Sequence, residues 1–433
     1  MKINIPEHIE LAPLIAKRFL FYQKSQNWSK DQIIEYQNNK LKEIITYSGK
    51  YVPYYRNLFK EIGLDTREFK GIEDMDKIPL LDKETLRTQT DEFISDNVHF
   101  YKCKTEKTSG STGTPLSLQL DQYSRANKYS AVLRAYFWAG YKLGERVFLI
   151  KGLSETKKRD YGYDISSNKI FLNSSRMTKS NCIAVAKLIQ KFKPHFFVGY
   201  ARSFIDFINI IESEGISIPS PKGLFCFGES VSPQIRKYLE TKLHTHLFDF
   251  YSHAENTVMI CQHDDHYQYL TEDFFFPEIL DEEGNIDANC YGELVGTSFY
   301  NYSMPLIRYK TRDYVTLADR QLSKYSFRMV DRIEGKMDDF LILPDGRKIY
   351  FAEGALGYAK GVITGQYIQD RIDHIIINLI VDSDFREEYF KEIEKGLKKR
   401  IGDCMTFSFN IVSELEKKSS GKIPFIIQKL NTR

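Results

Sequence analysis

The chain has 433 residues, more than one simple hydrophobic core accommodates, so we expect two or three domains. Its hydrophobic content of 42% and charged content of 27% are typical of a soluble globular protein. The net charge of +3, spread along the chain, favours neither a nucleic-acid partner nor an acidic tail. The first ten residues are polar and charged, and no run of about 18 apolar residues occurs. We therefore expect neither a signal peptide nor a membrane span.

The six cysteines are dispersed and form no CxxC pair, which favours a reducing, cytoplasmic location over a disulfide framework. Cys261, His263 and His266, with Cys290 downstream, offer thiolate and imidazole ligands at a spacing compatible with zinc. Without a CxxC anchor, buried free thiols are the favoured interpretation, and zinc is not expected.

Residues 1–100 show helical periodicity with few strand signals, most clearly at 11–22 and 31–48. Asp82 is a candidate N-cap before a short helix. A strand is expected at 116–120, where apolar and polar residues alternate.

Helical and strand-like segments alternate from about residue 122 to 250, which predicts a largely parallel sheet covered by helices. Helices are expected at 122–140, 181–192, 203–213 and from Pro233, and strands at 146–150, 195–199 and 224–227. Sites in such sheets lie beyond the carboxyl ends of the strands. The junctions at Gly199, Gly228 and Tyr251 are therefore candidate site positions.

The pattern changes at residue 251. Strands at 292–298 and 314–317 predict a small antiparallel sheet or barrel over 251–334. The remaining segments predict a small α+β domain over 335–433. Its expected elements are a hairpin at 340–349, a strand at 374–381, a helix at 385–400 and a strand at 406–412.

Residues 107–115 (Lys-Thr-Ser-Gly-Ser-Thr-Gly-Thr-Pro) combine glycines, hydroxyl side chains and a lysine. This composition suits a loop that closes over phosphate oxygens, because glycines free backbone amides and small hydroxyls add donors. It is not a Walker loop, since no Gly-Lys-Ser/Thr follows the second glycine. A solvent-exposed turn is the alternative.

Five further segments follow this loop in order: 227–230 (Phe-Gly-Glu-Ser), 250–255 (Phe-Tyr-Ser-His-Ala-Glu), 305–313 (Pro-Leu-Ile-Arg-Tyr-Lys-Thr-Arg-Asp), 330–340 (Val-Asp-Arg-Ile-Glu-Gly-Lys-Met-Asp-Asp-Phe) and 419–424 (Ser-Ser-Gly-Lys-Ile-Pro). Together the six segments resemble the motifs of the adenylate-forming superfamily of acyl-CoA synthetases, adenylation domains and luciferases. Its branch of phenylacetate–CoA ligases and capsular-polysaccharide-associated adenylating enzymes is the most similar. The resemblance covers nearly the whole chain.

The resemblance implies a site for ATP. The β- and γ-phosphates would lie against the loop residues Thr108, Ser109, Gly110, Ser111, Thr112 and Gly113, with Lys107 or another cation adding positive charge. Gly228 and Glu229 belong to a segment that would line the acyl pocket and the adenine, and Tyr251 would border the adenine. Asp313 would hold both ribose hydroxyls, a task that suits a carboxylate.

The resemblance also implies the catalytic groups. Glu255 would bind Mg²⁺ that bridges the phosphates. His253 would either face the acyl carboxylate or simply pack. Lys422 would reach the α-phosphate and the acyl carboxylate and neutralise developing charge. Asp338 would be the hinge of a mobile C-terminal domain.

Some positions depart from the family pattern. Ser252 and Arg312 replace glycines, and Ala254 replaces a hydroxyl residue. Lys336 stands at the arginine position before the hinge, where Arg332 is an alternative partner for ribose or phosphate.

The fold that follows is α/β, with a large domain over 1–334 of helix-flanked sheets plus a small antiparallel sheet or barrel, and a mobile α+β domain over 335–433. The implied function is ATP-dependent activation of a carboxylic acid as acyl-AMP, with pyrophosphate released, and transfer to CoA. Transfer to an amine, as in modification of a surface polysaccharide, is one alternative. A non-catalytic nucleotide-binding protein is another, and the oligomeric state is left open.

Overall fold

The computed structural model describes residues 7–107, 116–152, 159–229, 231–264, 266–281, 283–287, 289–318, 324–334, 340–350, 359–417 and 423–430. The chain divides into two compact units: unit 1 is Met1–Lys142 with Phe250–Glu334, and unit 2 is Leu143–Asp249 with Gly335–Arg433. The boundary at 334/335 coincides with the expected start of the C-terminal domain. The assignment of 1–334 as one domain stays a prediction.

The elements are numbered along the chain. The α-helices are α1 (Glu7–Glu10), α2 (Ala12–Ser25), α3 (Lys30–Tyr51), α4 (Pro53–Glu61), α5 (Lys83–Thr88), α6 (Gln122–Trp138), α7 (Lys179–Phe192), α8 (Ala201–Ser213), α9 (Pro233–Leu243) and α10 (Tyr389–Ile401). Short 3₁₀ helices cover Ile72–Lys77, Thr90–Phe93, Val98–Phe100, Ile165–Ser167 and Ser174–Arg176.

The first ten strands are β1 (Lys104–Lys107), β2 (Ser117–Leu120), β3 (Val147–Lys151), β4 (Tyr161–Asp164), β5 (Lys169–Asn173), β6 (Phe196–Gly199), β7 (Gly223–Phe227), β8 (Leu247–Ser252), β9 (Met259–Gln262) and β10 (Gln268–Leu270). The others are β11 (Phe275–Leu280), β12 (Tyr291–Ser298), β13 (Tyr309–Leu317), β14 (Met329–Glu334), β15 (Phe340–Ile342), β16 (Lys348–Tyr350), β17 (Val362–Arg371), β18 (His374–Val381), β19 (Thr406–Ile411) and β20 (Ile426–Gln428).

Local sequence explains the helix boundaries of unit 1. Ser29 and Gln32 form a capping box at the start of α3, where each side chain bonds the other's backbone. Helix α3 ends at Tyr51, because Val52, the residue before Pro53, is extended. Pro53 then occupies the first turn of α4, where its missing N–H costs nothing. The predicted cap is confirmed, since the Asp82 side chain accepts from the backbone N of Thr85.

The main sheet of unit 1 has the strand order β11-β12-β13-β14-β10-β9-β8, and each neighbouring pair of these strands is antiparallel. This confirms the antiparallel region expected over 251–334, in its sheet form. A separate pair, β1 and β2, is also antiparallel.

The first part of unit 2 is the predicted parallel sheet. Strand β3 pairs in parallel with β5 and with β6, and β6 with β7, while β4 adds an antiparallel edge. Helices α7, α8 and α9 contribute apolar side chains to one buried cluster with these strands. Gly199 follows with a φ of +155°, and a Cβ there would lie 2.0 Å from the carbonyl oxygen of Ile150.

The C-terminal part of unit 2 is α+β, as predicted. Its sheet has the order β19-β18-β17-β20, with a β17–β18 hairpin flanked by parallel outer strands. The hairpin at 340–349 is confirmed as β15 and β16. The helix expected at 385–400 begins later, at Tyr389.

Candidate active site

Strand β13 places Asp313 on the buried face of the unit 1 sheet, where the carboxylate residue is 3% exposed. The register between β12 and β13 shifts between Glu293 and Val295. At this bulge the Thr311 hydroxyl donates to the carbonyl of Leu294 over 2.6 Å and accepts from the Asp313 backbone N over 3.1 Å. The bulge therefore sets the direction of Asp313.

The backbone at Arg312 explains why the family carries glycine at this position. Its φ is +62°, in the left-handed region that costs an L-residue about 1–2 kcal/mol. Its backbone N donates to the Glu293 carboxylate over 2.8 Å, which helps to hold that conformation. The bulge thus forms despite the substitution, and Asp313 still reaches the buried face.

Two tyrosine–carboxylate hydrogen bonds join segments 250–255 and 305–313. Tyr251 donates from its hydroxyl to Asp313 Oδ2 over 2.6 Å, and Tyr309 donates to Glu255 Oε1 over 3.3 Å. Each segment thus supplies the tyrosine for the carboxylate of the other. Burial and the neighbouring carboxylate raise the pKa of both tyrosines well above its usual value, so both remain protonated donors.

His253 lies against Glu255 rather than apart from it. Its Nδ1 is 2.8 Å from Glu255 Oε2, and its Nε2 is 3.3 Å from the Thr257 hydroxyl. The Lys128 ammonium donates to the His253 carbonyl over 3.1 Å. Glu255 is thus a well-held carboxylate, the oxygen donor that Mg²⁺ prefers, and the residues present fit that ion. The alternative that His253 faces an acyl group stays a prediction.

The loop at 108–115 lies outside the described residues, but the strands on either side of it are antiparallel partners. Lys107 pairs with Ser117 across β1 and β2. Lys336 and Asp338 also lie outside the described part of the chain. Arg332 is exposed on β14, with its Cα opposite Thr316.

In unit 2, Glu229 follows β7 and contacts Ile423, near the C-terminal end of the described chain. Gly228 has a φ of +73°, which favours glycine. The Glu229 carboxylate accepts from the backbone N of Arg202 over 3.2 Å and from the backbone N of Ile423 over 3.1 Å. Ile423 directly follows Lys422, which lies outside the described residues. The residue that follows the predicted catalytic lysine is therefore held at Glu229.

Gln366, on β17, bonds to Glu416 and Pro424, two described residues that precede and follow Lys422 in the chain. Its side-chain amide donates to the carbonyl of Glu416 over 3.0 Å and to that of Pro424 over 2.9 Å. Its Oε1 accepts from the backbone N of Glu416 over 3.1 Å. Gln366 is fully buried, so these bonds are shielded from water.

The zinc set suggested by spacing is not brought together. No group of three or more His, Cys, Asp or Glu that is suited to a metal occurs among the described residues, which include Cys261, His263, His266 and Cys290. Cys261 is buried in β9, where burial raises the pKa of its thiol to about 12. His263 contacts Asp264 and the Tyr325 hydroxyl.

Within the described chain, no helix has both the length and the apolar character needed to cross a membrane.

Sequence reasoning missed several residues of these networks. Tyr309 lies inside the motif at 305–313, but nothing in the sequence indicated that its hydroxyl donates to Glu255. Arg202, Gln366 and the buried pair Asp206–Lys417 gave no signal, because polar residues in a helix or strand pattern are usually solvated.

Comparison with solved structures shows the class of fold. The chain matches 2-hydroxyisobutyryl-CoA ligase, solved in the postadenylation state with R3-HIB-AMP, at a TM-score of 0.75 and 16% identity, over 94% of this chain and 91% of that one. The fold is that of the adenylate-forming enzymes.

Sequence comparison gives the branch. Residues 341–429 match the family model of the CapK C-terminal domain. The chain is 23% identical to Protein CapK of Staphylococcus aureus, over 92% of this chain and 90% of that protein. It is 26% identical to phenylacetate-coenzyme A ligase of Pseudomonas putida, over 73% of each. The chain is thus similar to CapK and to phenylacetate–CoA ligase, which confirms the resemblance found in the motifs.

Proposed function

We propose that this AMP-forming ligase activates a carboxylic acid with ATP and transfers the acyl group to a second substrate. The observation that carries the proposal is the pair of reciprocal bonds, Tyr251 to Asp313 and Tyr309 to Glu255. They join two carboxylates whose family roles, ribose and magnesium binding, belong to one nucleotide. Glu255 and Asp313, which are 58 positions apart in the chain, thus lie on two segments that are joined by two hydrogen bonds. A chance match to the motifs would give no reason for these two segments to contact each other.

In the first step an oxygen of the substrate carboxylate attacks the α-phosphorus of ATP, and the bond to pyrophosphate breaks. Asp313 holds the ribose, and Tyr251 yields or shares its hydrogen bond when the hydroxyls arrive. Mg²⁺, when bound, neutralises the phosphates. Glu255 offers that ion a carboxylate already oriented by Tyr309 and His253. Lys422 stabilises the charge that develops at the reacting oxygens.

In the second step a nucleophile attacks the acyl carbon, AMP leaves, and the nucleophile loses its proton. Coenzyme A gives a thioester, and the similarity to the Pseudomonas putida ligase supports this acceptor. An amine acceptor, giving an amide, is the second candidate. It is supported by the match of residues 341–429 to the CapK C-terminal domain, because the capsule-associated branch raises the option of an amide.

The test is ATP–pyrophosphate exchange over aryl, fatty, amino and sugar acids, represented by phenylacetate, octanoate, alanine and galacturonate. We expect one class to support exchange, and we expect Lys422→Ala to reduce exchange at least 100-fold while ATP still binds. Asp313→Asn should weaken ATP binding at least 10-fold, because a bidentate acceptor is lost.

Matched controls are Lys395→Ala, an exposed lysine of α10, and Asp331→Asn, an exposed carboxylate of β14. Both should leave exchange unchanged. ATP binding without exchange from any acid would reject the ligase in favour of a nucleotide-binding protein. AMP formation that requires CoA, or instead an amine such as glycine amide, identifies the acceptor.

A further inference from the structure

Three polar side chains form a hydrogen-bonded row on one face of the C-terminal sheet of unit 2. On β17, the Asp370 carboxylate has its Oδ1 3.0 Å from Nδ1 of His374, which belongs to β18. The other ring nitrogen of His374, Nε2, lies 2.9 Å from the hydroxyl of Ser408 on β19. A carboxylate, an imidazole and a hydroxyl joined in this order are the groups that activate a serine as a nucleophile.

The register of the sheet explains why these residues meet. Strands β17, β18 and β19 are neighbours. His374 is opposite Thr406, and Ser408 lies two residues further along β19, so the two side chains share one face. Asp370 lies where the register between β17 and β18 shifts, between Ile368 and Arg371. An irregularity of this kind re-aims a side chain, here toward His374.

Asp370 determines which ring nitrogen of His374 carries the proton. The hydrogen bond from His374 lowers the pKa of the Asp370 carboxyl from its usual value, so the carboxylate is ionised at neutral pH and only accepts. Nδ1 therefore carries the ring proton in the neutral imidazole. Its Nε2 then has a lone pair directed at the Ser408 hydroxyl, the arrangement in which histidine acts as a general base.

The row is open to a substrate. Ser408 is exposed, and the Asp370 and His374 side chains are 39% and 13% exposed. Ile376 is directly opposite Ser408 and is half-buried, two residues from His374 on the same face. Its side chain offers an apolar contact for a short acyl group beside the hydroxyl.

The free edge of β19 offers a donor for the negative oxygen that forms during acyl transfer. The backbone N of Thr406 donates to the Asp373 carbonyl over 2.8 Å. The backbone N of Val412, six residues on, donates to the Leu379 carbonyl over 2.9 Å. Because N–H direction alternates along a strand, the N–H of Phe409 points away from β18.

Strand β19 is the last in its sheet, and no strand in the described ranges pairs with its outer edge. The amide of Phe409, directly after Ser408, therefore faces that edge. In α/β-hydrolases the amide after the nucleophile is one donor of the oxyanion hole.

We propose that Ser408, His374 and Asp370 form a second catalytic site, which hydrolyses short-chain acyl esters. This activity goes beyond the ligase function and does not depend on it. The Ser408 oxygen attacks the acyl carbon while its proton moves to His374 Nε2. The bond to the alcohol oxygen breaks, and the leaving alcohol takes that proton. Water then attacks the acyl-serine and gives a proton to Nε2, which returns it to the Ser408 oxygen as the carboxylic acid leaves. Asp370 holds the ring and stabilises its charged form.

The first test is covalent labelling of the full chain with diethyl p-nitrophenyl phosphate, which transfers its phosphoryl group to an activated serine and releases p-nitrophenolate. Mass spectrometry should find the adduct on Ser408. We expect His374→Gln and Asp370→Asn to slow labelling at least about 10-fold, because the general base or its orientation is lost. His99→Gln, at an exposed histidine of unit 1, should leave labelling unchanged. No adduct on Ser408, or labelling that His374→Gln does not slow, would overturn the proposal.

The second test is turnover of p-nitrophenyl acetate. Ser408→Ala and His374→Gln should lower kcat at least about 10-fold, with KM changed less than threefold. Asp370→Glu keeps a carboxylate and should retain more activity than Asp370→Asn. Ser383→Ala, at an exposed serine between β18 and α10, is the matched control and should hydrolyse the ester at the wild-type rate.

Hydrolysis that is equal in the wild type and Ser408→Ala would assign the reaction to other surface nucleophiles and overturn the proposal. Unchanged urea midpoints in the three variants would show that the losses are not caused by unfolding. ATP–pyrophosphate exchange should be the same in Ser408→Ala as in the wild type. Failure of this second site would therefore leave the ligase function intact, and a chain without exchange activity would leave the esterase result standing.

Discussion

Replacing Asp206 by Asn should make unit 2 more stable at alkaline pH, although it breaks an ion pair. The carboxyl pKa is about 6 in the folded protein and 3.8 when the group is exposed. Because the folded value is the higher one, the stability linked to this group is complete below pH 3.8 and is lost as pH rises through 6. The difference of about 2 pKa units corresponds to about 3 kcal/mol.

The charged groups near Asp206 are consistent with a carboxyl pKa that is higher in the folded protein than in the unfolded chain. The Lys417 ammonium lowers the pKa of Asp206, and the carboxylates of Glu414 and Glu229 raise it, but desolvation is the largest effect. Cys182 also interacts with Asp206, and burial raises the pKa of its thiol to about 12. The cysteine is therefore neutral over the relevant pH range.

The assay must report on unit 2. Both tryptophans, Trp28 and Trp138, lie in unit 1, so tryptophan fluorescence follows the other unit. Urea unfolding at pH 4, 6 and 8, read by pulse proteolysis and mass spectrometry of peptides from α8, isolates the response. We expect Asp206→Asn to gain up to about 3 kcal/mol at pH 8 and almost nothing at pH 4.

Glu212→Gln is the matched control, because Glu212 is an exposed carboxylate of the same helix paired with Lys242. Its change should stay within about 1 kcal/mol at every pH, as for other surface ion pairs. A destabilised Asp206→Asn at pH 8, or a gain that does not vary with pH, would refute the reasoning, since the ion pair would then stabilise the fold.

Two further predictions concern unit 1. Tyr309→Phe removes the hydroxyl that donates to Glu255, so the Mg²⁺ concentration for half-maximal pyrophosphate exchange should rise several-fold, whereas Tyr314→Phe on the same strand should leave it unchanged. Equal Mg²⁺ requirements in the two variants would contradict this role. Arg134→Met leaves the fully buried Asp273 carboxylate without its ion-pair partner 2.5 Å away, and should cost about 3–5 kcal/mol of unfolding free energy in urea followed by tryptophan fluorescence. A cost below about 1 kcal/mol would show that the carboxylate is compensated by other groups.

Much of the local structure was predictable because it depends on neighbours in the chain. Asp82 caps α5, the parallel strands of unit 2 alternate with helices, and the turn at 344–346 joins β15 to β16. Other strands were missed. Strand β17 is buried along eight consecutive residues, so it lacks the alternation that marks a half-exposed strand. The short strands β9 and β10 offer too few residues for any period to show.

The motifs by themselves indicated the family resemblance and the residue types expected of a nucleotide site. Only the tertiary structure decided which side chains meet, because hydrogen bonds and ion pairs between distant segments leave no periodicity in the sequence. Tyr251 reaches Asp313 across 62 positions, and Asp206 meets Lys417 in the C-terminal region. Burial then sets the protonation of these groups, since a carboxyl or hydroxyl loses its water only where the folded chain encloses it.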